Sequence, residues 1–241
     1  MLELTIIIPC FNEAKRLPKD QYRNFISQTD SIKLLFVDDG STDNTAKVLS
    51  ELQKEFPDKI ELLLADTNKG KAEAIRLGIQ YFKAIECKKV AYLDADLATD
   101  LKECVRLSKD VSEKLPFVFG SRILKIDNHI ERKWYRFVIG RVIATVISTM
   151  LQLKVYDTQC GCKIFTSSLA KKLFATSFIS QWLFDVELFF RMIQFVGRAN
   201  IHQSVKEVPL SRWIDTEDSK VKLSYGFYLW IDLFKIYKHY R

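Results

Sequence analysis

Five short runs of large apolar residues, at 4–8, 34–37, 60–64, 90–93 and 117–119, recur through the first half of the chain. They are nearly continuous rather than alternating, which is the pattern of strands buried on both faces. Helix-patterned stretches separate them, one beginning near Glu13, one after Asp43-Asn44, one over about 71–85 and one over about 100–112. Strand–helix–strand repetition predicts an α/β fold with a mainly parallel sheet, right-handed crossovers and flanking helices. The second half reads as a long amphipathic helix over 131–153, helices over 168–176 and 183–196, a strand at 205–208 and a last amphipathic helix over about 223–240. Since no composition break divides the halves, one domain is expected. Residues 1–222 form its body and the basic, aromatic helix of 223–241 belongs to the same unit.

Composition sharpens this. The chain has 241 residues, 48% of them hydrophobic and 28% charged, with eight Gly and five Pro, which excludes a disordered or low-complexity protein. No run approaches the roughly 20 apolar residues of a spanning helix; the best stretch, 137–153, is broken by Arg141. The first residues enter a strand-like run without a basic region, so no signal peptide is expected. Five cysteines without a regular framework point to a reduced, cytosolic chain. The net charge of +7 is concentrated at 122–141 and from 220 onward, where Lys222, Lys235, Lys238 and Arg241 alternate with Tyr and Phe. Basic charge mixed with large aromatics suits an anionic membrane surface better than nucleic acid.

Ligands of open α/β sheets bind beyond the carboxyl ends of the strands. Past the first run stand Pro9, Phe11, Asn12 and Glu13; past the second, Asp38, Asp39 and Gly40; past the fourth, Asp94, Ala95 and Asp96; past the fifth, Gly120, Ser121 and Arg122. Three of these loops bring carboxylates to one edge, a costly gathering of like charge unless cations or donors compensate. The set favours a divalent metal, Mg²⁺ or Mn²⁺, held by Asp94 and Asp96 beside a nucleotide diphosphate. No G-x-G-x-x-G follows the first run and no Walker loop is present, which argues against a dinucleotide cofactor. The three histidines are scattered, and Cys160-Gly-Cys162 reads as a pair of structural thiols.

Ile7-Ile-Pro-Cys-Phe-Asn-Glu13, Val37-Asp-Asp-Gly-Ser-Thr-Asp43 and Leu93-Asp-Ala-Asp96, in this order, resemble the family 2 glycosyltransferases of GT-A fold. Asn68-Lys-Gly-Lys-Ala72, Gly120-Ser-Arg122, Asp157-Thr-Gln-Cys-Gly161, Trp182-Leu-Phe-Asp-Val-Glu187 and Val208-Pro-Leu-Ser-Arg-Trp213 are similar to the dolichyl-phosphate β-glucosyltransferase branch. Eukaryotic members of that branch carry an N-terminal membrane anchor; none is expected here, which suggests a prokaryotic-type enzyme. Related mannosyl-phosphate synthases place a Gln two residues past the Asp-x-Asp, where this chain has Ala98. The resemblance implies an inverting, metal-dependent transfer of a hexose from a nucleotide-sugar, glucose from UDP-glucose foremost, onto a polyprenyl or dolichyl phosphate. The enzyme would act as a peripheral protein at the cytoplasmic face of a membrane. A GDP-mannose-dependent enzyme and transfer to a saccharide hydroxyl stand as alternatives.

The resemblance also distributes roles. Pro9, Phe11 and Glu13 would hold base and ribose, Asp38 and Asp39 the base side, and Asp94 and Asp96 the ribose and metal, with Lys71 and Lys220 reaching the donor. Arg122, Arg132 and Lys133 would take the acceptor phosphate, while Asp157 and Gln159 border the sugar pocket. Asp185 and Glu187 suit either a sugar's hydroxyls or the dipole of the helix they open. A loop from Arg212 to Lys220 would close over the diphosphate. An acceptor phosphate with a second pKa of about 6 is already largely dianionic near neutrality, so no dedicated base is expected.

Overall fold

The structure, a computed structural model, describes residues 2–82, 87–131, 134–214 and 225–241. Among these, seven strands form one sheet in the order β3-β2-β1-β4-β7-β5-β8. They are β1 (Leu2–Cys10), β2 (Ile32–Asp38), β3 (Ile60–Leu64), β4 (Cys87–Tyr92), β5 (Phe117–Ser121), β7 (Lys163–Thr166) and β8 (Val205–Pro209). Two three-residue strands, β6 (His129–Glu131) and β9 (Arg212–Ile214), pair in parallel apart from it. The helices are α1 (Lys19–Ser27), α2 (Thr45–Glu55), α3 (Lys71–Phe82), α4 (Leu101–Ser108), α5 (Trp134–Leu151), α6 (Ser167–Leu173), α7 (Phe184–Val196), α8 (Ile201–Ser204) and α9 (Tyr225–Tyr240).

The five apolar runs are all strands, and β1, β2, β3 and β4 pair in parallel as their continuous hydrophobicity requires. Besides the short pair β6 and β9, the sequence pattern does not announce β7. It inserts between β4 and β5 and runs antiparallel to both, with Tyr92 opposite Lys163 and Phe117 opposite Phe165. Its four residues, Lys-Ile-Phe-Thr, carry too short an apolar signal to register, yet all four are buried. Thr166 ends the strand and caps α6 by accepting the Leu169 N–H.

The first helix also begins later than its pattern suggests. Residues 13–17 form a turn, with Arg16 and Leu17 N–H groups donating to the Glu13 carbonyl. Pro18 then disfavours helical geometry in the residue before it, so α1 starts at Lys19. Residues on the two faces of the sheet separate into two cores. Ile7, Leu35, Val37 and Tyr92 pack with α3, α5, α6, α7 and α9. Ile6, Ile8, Leu34 and Phe36 pack with α1, α2 and α4.

Helix α9 is no loose appendage. Leu233 and Ile236 are buried in the first core, Ser180 Oγ donates to Asp232 at 2.8 Å, and Arg191 Nε donates to the Tyr240 hydroxyl at 3.0 Å. No helix among the described residues is long and apolar enough to cross a membrane.

Candidate active site

The loops after β1 and β2 are knitted together by their own polar groups. Asn12 adopts a left-handed φ of 51°, its N–H donates to Ser41 Oγ at 2.9 Å, and its carboxamide oxygen accepts the Thr42 N–H at 2.9 Å. Asn tolerates that conformation better than most residues. Glu13 lies nearly buried, bridged to Arg16 at 2.8 Å, a partner the sequence reading passed over although it lies only one helical turn away. Asp38 takes both the backbone N–H and the hydroxyl of Ser41. The two oxygens of Asp39 accept the Lys69 N–H at 2.9 Å and the Gly70 N–H at 2.7 Å. Burial lifts the Asp39 pKa above the usual carboxylate range, opposed by those two N–H groups and reinforced by Asp38 next to it. Here the carboxylate's partner is the 67–70 turn. The two turns touch so closely that a Cβ on Gly40, whose φ is +64°, would come within 2.6 Å of the Asn68 nitrogen.

The Asp-x-Asp follows β4. Ala95 between the two acids is buried, its carbonyl accepting the Tyr22 hydroxyl at 3.0 Å, while both acids remain partly accessible. Asp96 accepts the Ala98 N–H at 3.0 Å across a turn in which Leu97 has a φ of 52°. Lys71, the first residue of α3, reaches Asp94 at 2.5 Å. Burial works against its charge, but Asp94, Asp185 and Asp96 together more than offset this and raise its pKa. Gly161 lies against the other oxygen of Asp94, and a Cβ there would fall 2.0 Å from Oδ2. Only glycine lets the 157–161 loop pass this close to the carboxylate.

Behind that loop is an ion pair with no solvent exposure at the lysine. Lys163 on β7 bridges Asp185 at 2.7 Å and donates to the Cys160 carbonyl at 2.7 Å, and the Tyr92 hydroxyl donates to the same Asp185 oxygen. Buried charges persist only when paired and fully bonded. Asp185 is thus spent on the interior, and so is Glu187, which accepts the Ile179 and Ser180 N–H groups at 2.8 and 2.9 Å. Of the two readings of these acids, the geometry matches interior structure rather than open sugar ligands. Cys160 and Cys162 are fully buried, and burial pushes the Cys160 thiol up to about 12, in keeping with inert structural thiols.

Arg122 and Asp157 form a bidentate pair, Nε–Oδ2 at 2.6 Å and Nη2–Oδ1 at 2.8 Å, with the Arg122 N–H also on Oδ2 at 3.1 Å. Burial alone would raise Asp157, but the Arg122 charge and its hydrogen bonds outweigh it and hold the carboxyl well below the usual range. Trp213 of β9 packs under the guanidinium, 5.3 Å from its carbon. Glu207 of β8, not singled out in sequence, accepts the Tyr156 and Asp157 N–H groups at 2.9 and 2.8 Å and so fixes the loop. Beside the pair opens a pocket of about 220 Å³ lined by Arg122, Arg141, Tyr156, Thr158, Gln159 and Trp182, and by α5 and Leu229 of α9. Pro9 and Phe11 lie at the carboxyl end of β1, beside these loops. Arg132, Lys133 and Lys220 lie outside the described residues, as does most of the loop expected to close over the diphosphate.

The signature described as glycosyl transferase family 2 matches residues 5–174, a span that contains the carboxylate loops, Lys71, Arg122 and the 157–161 loop. The chain belongs to this family. Among its relatives, the dolichyl-phosphate β-glucosyltransferase of Dictyostelium discoideum is 32% identical over 90% of this chain and 68% of its own length. The Mus musculus enzyme of the same name is 29% identical over 97% of this chain and 73% of its own. In architecture, the family member described here resembles glucosyl-3-phosphoglycerate synthase from Mycobacterium tuberculosis, solved with Mn²⁺, UDP and phosphoglyceric acid. That likeness has a TM-score of 0.70 at 14% identity over 98% of this chain and 78% of the other. Mannosyl-3-phosphoglycerate synthase from Rubrobacter xylanophilus gives a TM-score of 0.70 at 15% identity over 99% and 73%. The GT-A fold expected from the motifs is the fold observed.

Proposed function

We propose that this glycosyltransferase moves a glucosyl group from UDP-glucose onto the phosphate of a polyprenyl lipid at a membrane surface. The observation that carries this reading is similarity, over nearly all of this chain and about 70% of their own length, to enzymes named for glucose and dolichyl phosphate, in a chain whose carboxylate edge adjoins an arginine-lined pocket. That similarity favours glucose over the mannosyl alternative. Asp94 and Asp96 present only oxygen donors on either side of a buried residue, a set that fits Mg²⁺ or Mn²⁺. No cluster of three acidic, His or Cys ligands occurs among the described residues, which suits a cation completed by the donor's diphosphate and water. When bound, such a cation supplies charge neutralisation to the departing diphosphate.

The remaining work falls to this chain's own groups. The acceptor phosphate oxygen forms a bond to the anomeric carbon as the bond from that carbon to the UDP oxygen breaks, inverting the centre. No base is needed, because the phosphate arrives largely dianionic at about pH 7. Lys71, held at Asp94 by charge, stands where it can exchange that carboxylate for a diphosphate oxygen. Pro9, Phe11, Glu13, Asp38 and Asp39 frame the nucleoside side, the last three through loops they hold rigid, and Gln159 borders the sugar. Arg122 fixes Asp157 and keeps Nη1 available toward an anion. Arg132 and Lys133 add cationic charge next to α5, and Lys220 belongs to the closing loop.

Membrane contact is supported by where apolar surface is exposed. At the start of α5, Trp134, Tyr135, Phe137, Val138 and Ile139 are all exposed, and on α9 so are Tyr228, Trp230 and Phe234. Leu229 of α9 and Ile143 of α5 line the same pocket, so the two helices that carry these exposed side chains both contribute to it. Such patches, with Lys235, Lys238 and Arg241 nearby, suit insertion into an anionic interface, at the cytoplasmic face where UDP-glucose is available. The test is incubation with labelled UDP-glucose or GDP-mannose and a polyprenyl phosphate, followed by organic extraction. Label from UDP-glucose should enter the lipid phase. Label only from GDP-mannose, or none, overturns the reading.

A further inference from the structure

Arg141 sits on α5 with its guanidinium stacked 3.6 Å from the Tyr156 ring centre and Nη1 donating to the Tyr156 carbonyl at 2.8 Å. Among the described residues no carboxylate pairs with it, and Nε and Nη2 have no acceptor. Two further polar atoms in the same lining, Thr158 Oγ1 and Gln159 Nε2, are buried without a hydrogen-bond partner. Thr158 is only 2% exposed. Unmatched buried polar groups and an unpaired half-buried cation are costly unless a ligand completes them. The carboxylate in this lining, Asp157, is already neutralised by Arg122, so it does not compete for Arg141.

The missing partner must therefore be rich in acceptors and negatively charged. We infer that this pocket binds a phosphate monoester, with Arg141 as its principal ligand and Thr158 and Gln159 as neutral partners. The inference deepens the proposed function and rests on it for the claim that the bound phosphate is the acceptor. Arginine's planar fork matches two phosphate oxygens, and the stack on Tyr156 orients that fork before a ligand arrives. Position agrees with role. The loop that supplies Thr158 and Gln159 ends at Gly161, against Asp94, so the phosphate would lie one short loop away from the donor carboxylates. Apart from Arg141, the α5 and α9 lining (Ile143, Ala144, Ile147 and Leu229) is apolar, and the same two helices carry exposed apolar side chains, a path a hydrocarbon tail would follow.

Arg141→Gln, Arg141→Lys and wild type should be compared in two ways: direct binding of farnesyl phosphate, glycerol 3-phosphate, inorganic phosphate and farnesol, and steady-state kinetics with UDP-glucose. Arg141→Gln should weaken farnesyl phosphate binding about tenfold or more and raise acceptor KM alike, as loss of a charge-assisted contact requires. Donor KM should stay unchanged and Arg141→Lys should recover part of the loss. Farnesol should not bind. Equal Arg141-dependent binding of all three phosphates identifies a site for the headgroup alone, and preference for farnesyl phosphate identifies a lipid site. Farnesyl phosphate binding that is absent, or indifferent to Arg141 in a folded variant, overturns the inference. If wild type transfers no sugar to lipid yet binds phosphate through Arg141, the functional reading falls and the phosphate site stands.

Discussion

Around the ends of β1 and β2 the carboxylates meet donors within the chain: Arg16 on Glu13, Ser41 on Asp38, the Lys69 and Gly70 N–H groups on Asp39. Beside α5 the balance is reversed, with Arg141, Thr158 and Gln159 all short of acceptors and large apolar side chains in the open. The carboxylates of the first region are held by partners within the chain, which on the proposed reading preorganises a donor site. The second is left open within the chain, and on the proposed reading an anion in the pocket and an apolar environment around the helix ends complete it. On the proposed reading these are the two sides of one reaction centre, and the Arg122–Asp157 pair and the 157–161 loop lie between them.

Breaking that junction should have the largest effect. Asp157→Asn leaves the Arg122 charge buried with half its partner gone and is expected to cost about 3–5 kcal/mol, read by denaturant unfolding. Because Asp157 is held below its unfolded pKa of about 3.9, its contribution is present above that pH and fades as the pH falls toward the folded value. Wild type should lose stability on acidification below about pH 4 more steeply than Asp157→Asn. Parallel acid curves would show that the pair does not carry the junction.

Asp96→Asn tests the complete side. The residue is partly exposed on a turn, so the thermal midpoint should hold while turnover drops about 10²–10³-fold, the scale of one lost electrostatic stabiliser. Excess chelator should mimic it in wild type and added Mn²⁺ or Mg²⁺ reverse it. Undiminished turnover in chelator would remove the metal from the scheme.

Gly161→Ala sharpens the boundary between the sides. Its Cβ would meet Asp94 Oδ2 at 2.0 Å, and the forced shift should cost about 1–3 kcal/mol, lowering donor affinity more than affinity for a lipid phosphate. Equal losses on both would mean the loop moves as one body and the division is false. The smallest effect is expected on the incomplete side. Val138→Asp with Val142→Asp, both on exposed positions, should leave folding and soluble-donor binding intact, since surface changes usually stay within about 0.5 kcal/mol. Sedimentation with anionic vesicles should nonetheless fall, and unchanged sedimentation would place the membrane contact elsewhere. Deleting 224–241 is a poorer probe, because Leu233, Ile236 and Tyr240 are tied into the body and their loss removes core contacts together with the exposed aromatics.

Much of the first region could be read from residue order. Strands buried on both faces announce themselves as unbroken apolar runs, and the parallel topology sends their carboxyl ends to one edge, so Glu13, Asp38, Asp39, Asp94 and Asp96 could be gathered on paper. What each acid touches could not. Asp39 closes on a turn 30 residues away and Asp185 on a lysine from the unforeseen β7, and sequence carries no signal for such pairings beyond residue type. Arg141 shows the same limit from the other side, since along the chain it is only a charge interrupting a hydrophobic helix.

Local periodicity, turn chemistry and the motif order determined the α/β class, the family and the edge where the carboxylates gather, because these depend on neighbours in the chain and on rules common to all open parallel sheets. The tertiary structure alone decided which charges are paired within the chain and which have no carboxylate partner among the described residues. That depends on distances between β4, α3, α5, β7 and β8, and each is fixed by packing across the whole sheet rather than by any one segment.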